Sequence, residues 1–246
     1  RISGSDYAIK FNNGNNVLEL RDGSEISGRI QGSSEDNTVI VNGNVKLDEL
    51  AGFSKMVAKD NSVLTGNLYL NPVSDEKYYT EAFSNSKNLS DISLETSLGS
   101  LTVTGNINIG VNYDGIINET AKTGKIIAES INLQNGKIIL SNAGNTEKSI
   151  TDESGLMNTG DQIRVKSIVI SNKQQAVNPE FQFATSGEMT AGDGWVSETV
   201  SRIENGVTVL DELYTNVKQP LPPVQPDTNP KEEDKVDDGG QNEPSD

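Results

Sequence analysis

Residues 101–111 read Leu101-Thr-Val-Thr-Gly-Asn-Ile-Asn-Ile-Gly-Val111, and this stretch decides the fold class. Leu101, Val103, Ile107, Ile109 and Val111 fall on odd positions, with Thr102, Thr104, Asn106 and Asn108 between them. A period of two sends one set of side chains into a core and the other into water, which is the pattern of an extended strand. Gly105 takes the inward position between the two halves, where a missing side chain lets the chain turn a corner.

The same phrase returns on both sides. Val39-Ile-Val-Asn-Gly-Asn-Val-Lys-Leu47 and Leu64-Thr-Gly-Asn-Leu-Tyr-Leu70 repeat the apolar, Gly-Asn, apolar order, and Gly136-Lys-Ile-Ile-Leu140 is a weaker copy. Aligned on Gly43, Gly66, Gly105 and Gly136, the units are offset by 23, 39 and 31 residues. One strand–corner–strand unit repeated with insertions of variable length is the sequence sign of a solenoid. Short strand pairs around a single glycine corner, with irregular polar loops between them, favour a right-handed parallel β-helix over a sandwich or a meander-type barrel. The calcium-binding nonapeptide and left-handed hexapeptide patterns are not in the sequence.

Composition narrows the function. Of 246 residues, one is Trp, five are Phe and six are Tyr, too few for a broad aromatic core. A net charge of −16 disfavours nucleic acid and anionic membrane surfaces, which need clustered Lys and Arg. The chain has neither His nor Cys, so Ser-His-Asp and Cys-His sites, the usual zinc sites and disulfides are excluded within it. No apolar run approaches the ~18 residues of a membrane span. A start at Arg1-Ile-Ser-Gly, without an initiator Met or an apolar signal region, suggests a piece of a longer precursor.

Further strands are expected at Val17–Leu20, Ile26–Ile30, Asp91–Leu94, Ile116-Ile117, Ile126-Ile127, Ile131–Leu133, Gln162–Val165, Ser167–Ile170, Phe181–Phe183 and Val207–Leu210. Asp48–Val57 fits a strand pair or a helical turn. Val196, Val200 and Ile203 lie at helical spacing with Gly206 as a C-cap, although strand alternation fits part of the same stretch. Pro72 opens a long interruption, Val73–Ser90, in which Tyr79 and Phe83 stand four apart, as on a short helix capped near Ser74. Gly144–Gly160 reads as a polar loop. From Lys218 onward lie six of the eight prolines and eight acids against three lysines, the composition of a disordered spacer. The expected division is therefore 1–217, a β-helix, and 218–246, a Pro-rich acidic tail.

Asp22-Gly-Ser-Glu-Ile-Ser-Gly-Arg-Ile-Gln-Gly32, Asp36-Asn-Thr-Val-Ile-Val-Asn-Gly43, Leu50-Ala-Gly-Phe-Ser-Lys55 and Ser62-Val-Leu-Thr-Gly-Asn67 form a recurring phrase. It resembles the coils of autotransporter passengers, the secreted part of type V secretion proteins in Gram-negative bacteria. The resemblance covers about Asp22–Leu140. It implies an extracellular, surface-displayed segment, monomeric, whose acidic tail leads to an outer-membrane barrel in the precursor. It also gives the missing cysteine a reason, because a passenger crosses the outer membrane unfolded.

Candidate chemistry is sparse. Carbohydrate-acting β-helices use clustered carboxylates with Arg or Lys, and the carboxylates on offer are Asp75, Glu76, Glu81, Asp114, Asp152, Glu153 and Asp161. All lie in polar stretches, where acids are expected for solubility alone. No catalytic, cofactor or metal residue is therefore assigned. Tyr78, Tyr79 and Phe83, a quarter of the aromatics, are the candidate partner-binding residues, as aromatics on an excursion can anchor a partner or fold back onto the wall. Trp195 is expected to plug an end of the core. The expected function is a non-enzymatic stalk or adhesin that binds a host or bacterial cell-surface protein or glycan. The alternative is the scaffold of a secreted hydrolase, either the stem behind a protease domain or a carbohydrate-acting β-helix.

Overall fold

Alternating apolar residues become strands, and the strands find one another in parallel. The computed structural model of the chain describes residues 1–33, 36–73, 98–113, 121–204 and 207–218. The strands among them are β1 (Ile2–Lys10), β2 (Val17–Arg21), β3 (Ser24–Gln31), β4 (Thr38–Phe53) and β5 (Lys55–Leu70). There follow β6 (Ser100–Val103), β7 (Asn106–Asn112), β8 (Lys122–Thr123), β9 (Lys125–Ile127), β10 (Ser130–Leu133) and β11 (Lys137–Asn142). The last are β12 (Gln162–Ser171), β13 (Ala184–Thr185), β14 (Trp195–Glu204) and β15 (Val207–Asn216). All belong to one large, mostly parallel sheet.

Three parallel ladders run through it. In the first, Leu18 pairs with Val39, Val39 with Met56, Met56 with Ile126 and Ile126 with Val169. The second joins Ser24, Val45, Leu64, Val103 and Leu133. The third joins Ile9, Ile30, Leu50, Leu68, Ile107 and Ile138. The sixteen-residue strands β4 and β5 contribute to all three, and their mutual register shifts between Asn42 and Asn44 and between Lys46 and Glu49. From Val39 and Val45 to Ile107 and Ile138, the apolar members of these ladders meet in one core cluster. Burying each such side chain contributes roughly 2 kcal/mol, repeated along every ladder. Leu64, Leu68, Val103, Ile107 and Ile109, all expected inside, are at most 1% exposed.

The glycine corner is real, but its membership differs from the expected one. A Cβ on Gly105 would lie 1.9 Å from the Gly66 carbonyl oxygen, and one on Gly136 would lie 2.3 Å from that of Gly105. Backbone meets backbone there, so only glycine fits. Gly43 sits at a different corner, at φ +96°, against Asp22. The reason is register: Val45 pairs with Leu64, not with Leu68 as alignment on Gly-Asn would have it. The step from β4 to β5 is thus 17 residues at Thr38–Lys55 and 19 at Val45–Leu64.

The first ladder is apolar on its outer side too. Ile40, Val57, Ile127, Ile170 and Val209 succeed one another across paired strands and form a second cluster, each at most 3% exposed. Leu98 and Val207 pack against them. Continuous runs such as Val39-Ile-Val41 and Ile168-Val-Ile170 are what a parallel strand buried on both faces requires.

Parallel pairing does not extend to residue 217. β15 pairs antiparallel with β12 on one side and with β14 on the other. Trp195–Glu204 is therefore strand, not helix, because ten consecutive residues find ladder partners from Asn216 to Val207. Asp48–Val57 likewise belongs to β4 and β5 instead of a helical turn. Phe181–Phe183 is not strand; the two rings meet edge to face at 5.1 Å just before β13. Within Gly144–Gly160 lies a one-turn helix, α1 (Ile150–Glu153), whose Asp152 N–H donates to the Ser149 hydroxyl. Gln162–Val165 and Ser167–Ile170 are a single strand, β12, bent where Ser167 takes φ +56°. The excursion Val73–Ser90 except Val73 itself, its expected helix, the strands at Asp91–Leu94 and Ile116-Ile117, Gly206 and the tail beyond 218 lie outside the described residues.

Candidate functional site

Of the residues singled out for function, the structure describes Asp152, Glu153, Asp161 and Trp195. Tyr78, Tyr79 and Phe83 lie outside the described residues, as do Asp75, Glu76, Glu81 and Asp114. Asp152 and Glu153 form the first turn of α1, and Glu153 accepts from the Thr146 hydroxyl at 3.4 Å with the Lys148 ammonium 3.9 Å away. Asp161 closes a turn by accepting the Asn158 N–H at 2.8 Å. The Glu153 and Asp161 carboxylates are each engaged within a local turn. Among the described residues no three of Asp, Glu, His or Cys cluster as metal ligands would.

Polar chemistry concentrates elsewhere, on the antiparallel sheet. Asp211 is completely buried on β15. Its Oδ2 accepts from Arg164 Nη1 of β12 at 3.0 Å and from Arg202 Nε of β14 at 2.5 Å. Its Oδ1 accepts the Ser167 N–H at 2.7 Å, at the bend of β12. Arg202 also reaches Glu204. Burial works against the Arg202 charge, but the Asp211 and Glu204 carboxylates outweigh it and hold the guanidinium above its ordinary pKa. One carboxylate thereby ties three strands together.

The neighbouring residue has the opposite surroundings. Glu212 is 2% exposed and has no ion pair with any described basic side chain. Its Oε2 accepts the Thr199 hydroxyl at 2.9 Å. Burial pushes its carboxyl up to about 7, against the hydrogen bonds of Thr199 and Ser197 and helped by the charge of Glu198. Tyr214 is buried on the same strand; its hydroxyl donates to the Met189 carbonyl at 2.6 Å, and burial raises its pKa well above the usual phenol value. Sequence inspection passed over this group, although Val207-Thr-Val-Leu-Asp-Glu-Leu-Tyr214 carries a signal. Two acids in the middle of an apolar strand are costly unless something inside receives them.

Clefts among the described residues open at the surface, two of them beside an aromatic ring. One, of about 690 Å³, is lined by Ser5, Asp6, Tyr7, Arg29, Asp48 and Glu49, with Gly28. Arg29 Nε lies 3.2 Å from a Glu49 carboxylate oxygen but is buried without an aligned hydrogen bond, while Asp48 accepts the Gly28 N–H at 2.8 Å. The other, of about 280 Å³, runs between α1 and the start of β14 and is bounded by Asp152, Leu156, Met157, Asp193, Trp195 and Lys218. Trp195 itself is partly buried and packs on the main core. Both clefts offer hydrogen-bonding side chains beside an aromatic ring, a surface suited to contact. Neither holds a nucleophile paired with a base. No protein-family model, curated protein or solved structure matches this chain.

Proposed function

We propose that the three ladders are the faces of a right-handed parallel β-helix and that the chain is a non-enzymatic, surface-displayed stalk or adhesin segment. The reading is of the autotransporter-passenger type, extracellular, with a host or bacterial cell-surface protein or glycan as its partner. Residues 218–246 then connect the segment to an outer-membrane barrel. The observation that carries the reading is the unbroken inward register, Val45–Leu64–Val103–Leu133 beside Leu50–Leu68–Ile107–Ile138. Such stacking converts chain length into axial length at about 4.8 Å per layer and leaves long outer walls for contact. Glu153, Asp161 and Asp211 serve local turns and ion pairs, which fits a wall better than an active site.

Purified chain, fluorescently labelled, is expected to bind intact cells or an array of cell-surface glycans saturably while leaving pectin, glycan and casein substrates unchanged. Steady turnover of any of those substrates would contradict the reading. Loss of binding to every cell and glycan surface would remove the adhesin role and leave the stalk.

A further inference from the structure

Thr199 is a junction. Its hydroxyl meets Glu212 Oε2 at 2.9 Å and also accepts the Phe183 N–H at 2.8 Å, while its own N–H donates to Gln182 Oε1 at 2.9 Å. Through this one residue the edge strand β14, the central strand β15 and the segment 181–183 are held together. Gln182 thereby occupies an N–H on the open edge of the last strand, where another chain could otherwise add. Glu212 shares its parity on β15 with Leu210 and Tyr214, both in the main core, and its partner on β12 is Val165, which is fully buried. Both nearby arginines are taken by Asp211.

We propose that Glu212 is a pH-operated latch of this C-terminal sheet: its neutral carboxyl keeps β14 and the 181–183 segment closed on the core, and its ionisation releases them. The groups that face it decide the direction. From β14 comes Glu198, a second negative charge, together with the Ser197 and Thr199 hydroxyls. From β15 itself comes Tyr214, coupled in turn to Tyr113. β12 contributes Val165, and the 181–183 segment contributes Phe183 and Gln182, none of them charged. Among the described residues no facing group compensates an ionised Glu212, whereas an opened sheet would give it water.

The sign follows from linkage. A carboxyl raised in the closed state from 4.5 to about 7 keeps its proton there across a range in which the open state has lost it. The contribution to closure is complete below about pH 4.5, declines as pH rises, and is gone above about pH 7. Opening of the latch should therefore become easier by on the order of a hundredfold across that window.

Amide hydrogen exchange on the full chain reads this directly, as protection factors corrected for intrinsic exchange. The Thr199 and Phe183 amides, which make the junction's own hydrogen bonds, should lose protection on the order of a hundredfold between pH 4.5 and 7.5. The Leu64 and Ile107 amides should hold steady, and Glu212→Gln should flatten the response at Thr199 and Phe183. Should Glu212→Gln fold too weakly to measure, Glu198→Gln is the second arm: removing that charge should bring the plateau to lower pH. The latch is overturned by a flat profile at Thr199 and Phe183, by a loss shared equally by Leu64 and Ile107, or by Glu212→Gln retaining the full response. In the second arm, an unmoved plateau overturns it.

Discussion

The body of the molecule and its C-terminal sheet solve the same problem with different chemistry. In the body, β4, β5, β7 and β11 stack parallel, and the column Leu50, Leu68, Ile107 and Ile138 is apolar throughout. At the C-terminal end, β12, β15 and β14 run antiparallel and bury Asp211 and Glu212 side by side. A repeating ladder can use hydrophobic contact alone, because each layer presents the same surface to the next. The layer that ends it meets nothing equivalent. There, orientation and edge protection come from directed groups: Asp211 joins two arginines from two strands, and Gln182 covers an amide on the edge. Apolar stacking extends the fold, and polar pairing closes it.

That contrast can be broken most severely from the apolar side. Val103→Asp would place a carboxylate where nothing can pair with it, between Leu64 and Leu133, and should cost several kcal/mol, read as loss of cooperative unfolding or a large fall in denaturation midpoint. Asp211→Ala attacks the polar closure. It orphans the Ser167 N–H and leaves Arg164 without its carboxylate, but Arg202 keeps Glu204 and both arginines retain some solvent contact, so about 2–3 kcal/mol is expected from urea melts. The smallest effect belongs to Ser149→Ala, which removes the N-cap of α1 and a hydroxyl contact with Thr151 and should cost about 1 kcal/mol in the same assay.

Much of the body could be read from alternation, since Leu64, Leu68, Val103, Ile107 and Ile109 all point where period two puts them. What alternation could not give was register. The Gly-Asn pairs at Gly43 and Gly66 look equivalent in sequence, yet one turns the chain at Asp22 and the other lies beneath Gly105. Strand lengths between corners, set by three-dimensional stacking, decide which glycine meets which. β14 was ambiguous for a related reason: Val196, Val200 and Ile203 satisfy a helical period, and the competing strand gains its pairing from β15, which local sequence cannot show. Asp211 and Glu212 escaped notice because an acid in a strand usually faces water, and their burial depends on partners as distant in sequence as Arg164 and Thr199.

The central claim is that successive layers pair in parallel around one interior. Solution NMR on uniformly labelled chain tests it through short amide and Hα contacts along Val45, Leu64, Val103 and Leu133. Parallel-type contacts in that order are predicted, with antiparallel Hα–Hα contacts among the described strands confined to the β14–β15, β12–β15 and short β7–β8 pairs and the single Lys59–Leu98 bridge. Close Hα–Hα pairs between β4 and β5, or between β5 and β6, would mean antiparallel hairpins in the body and would contradict the account.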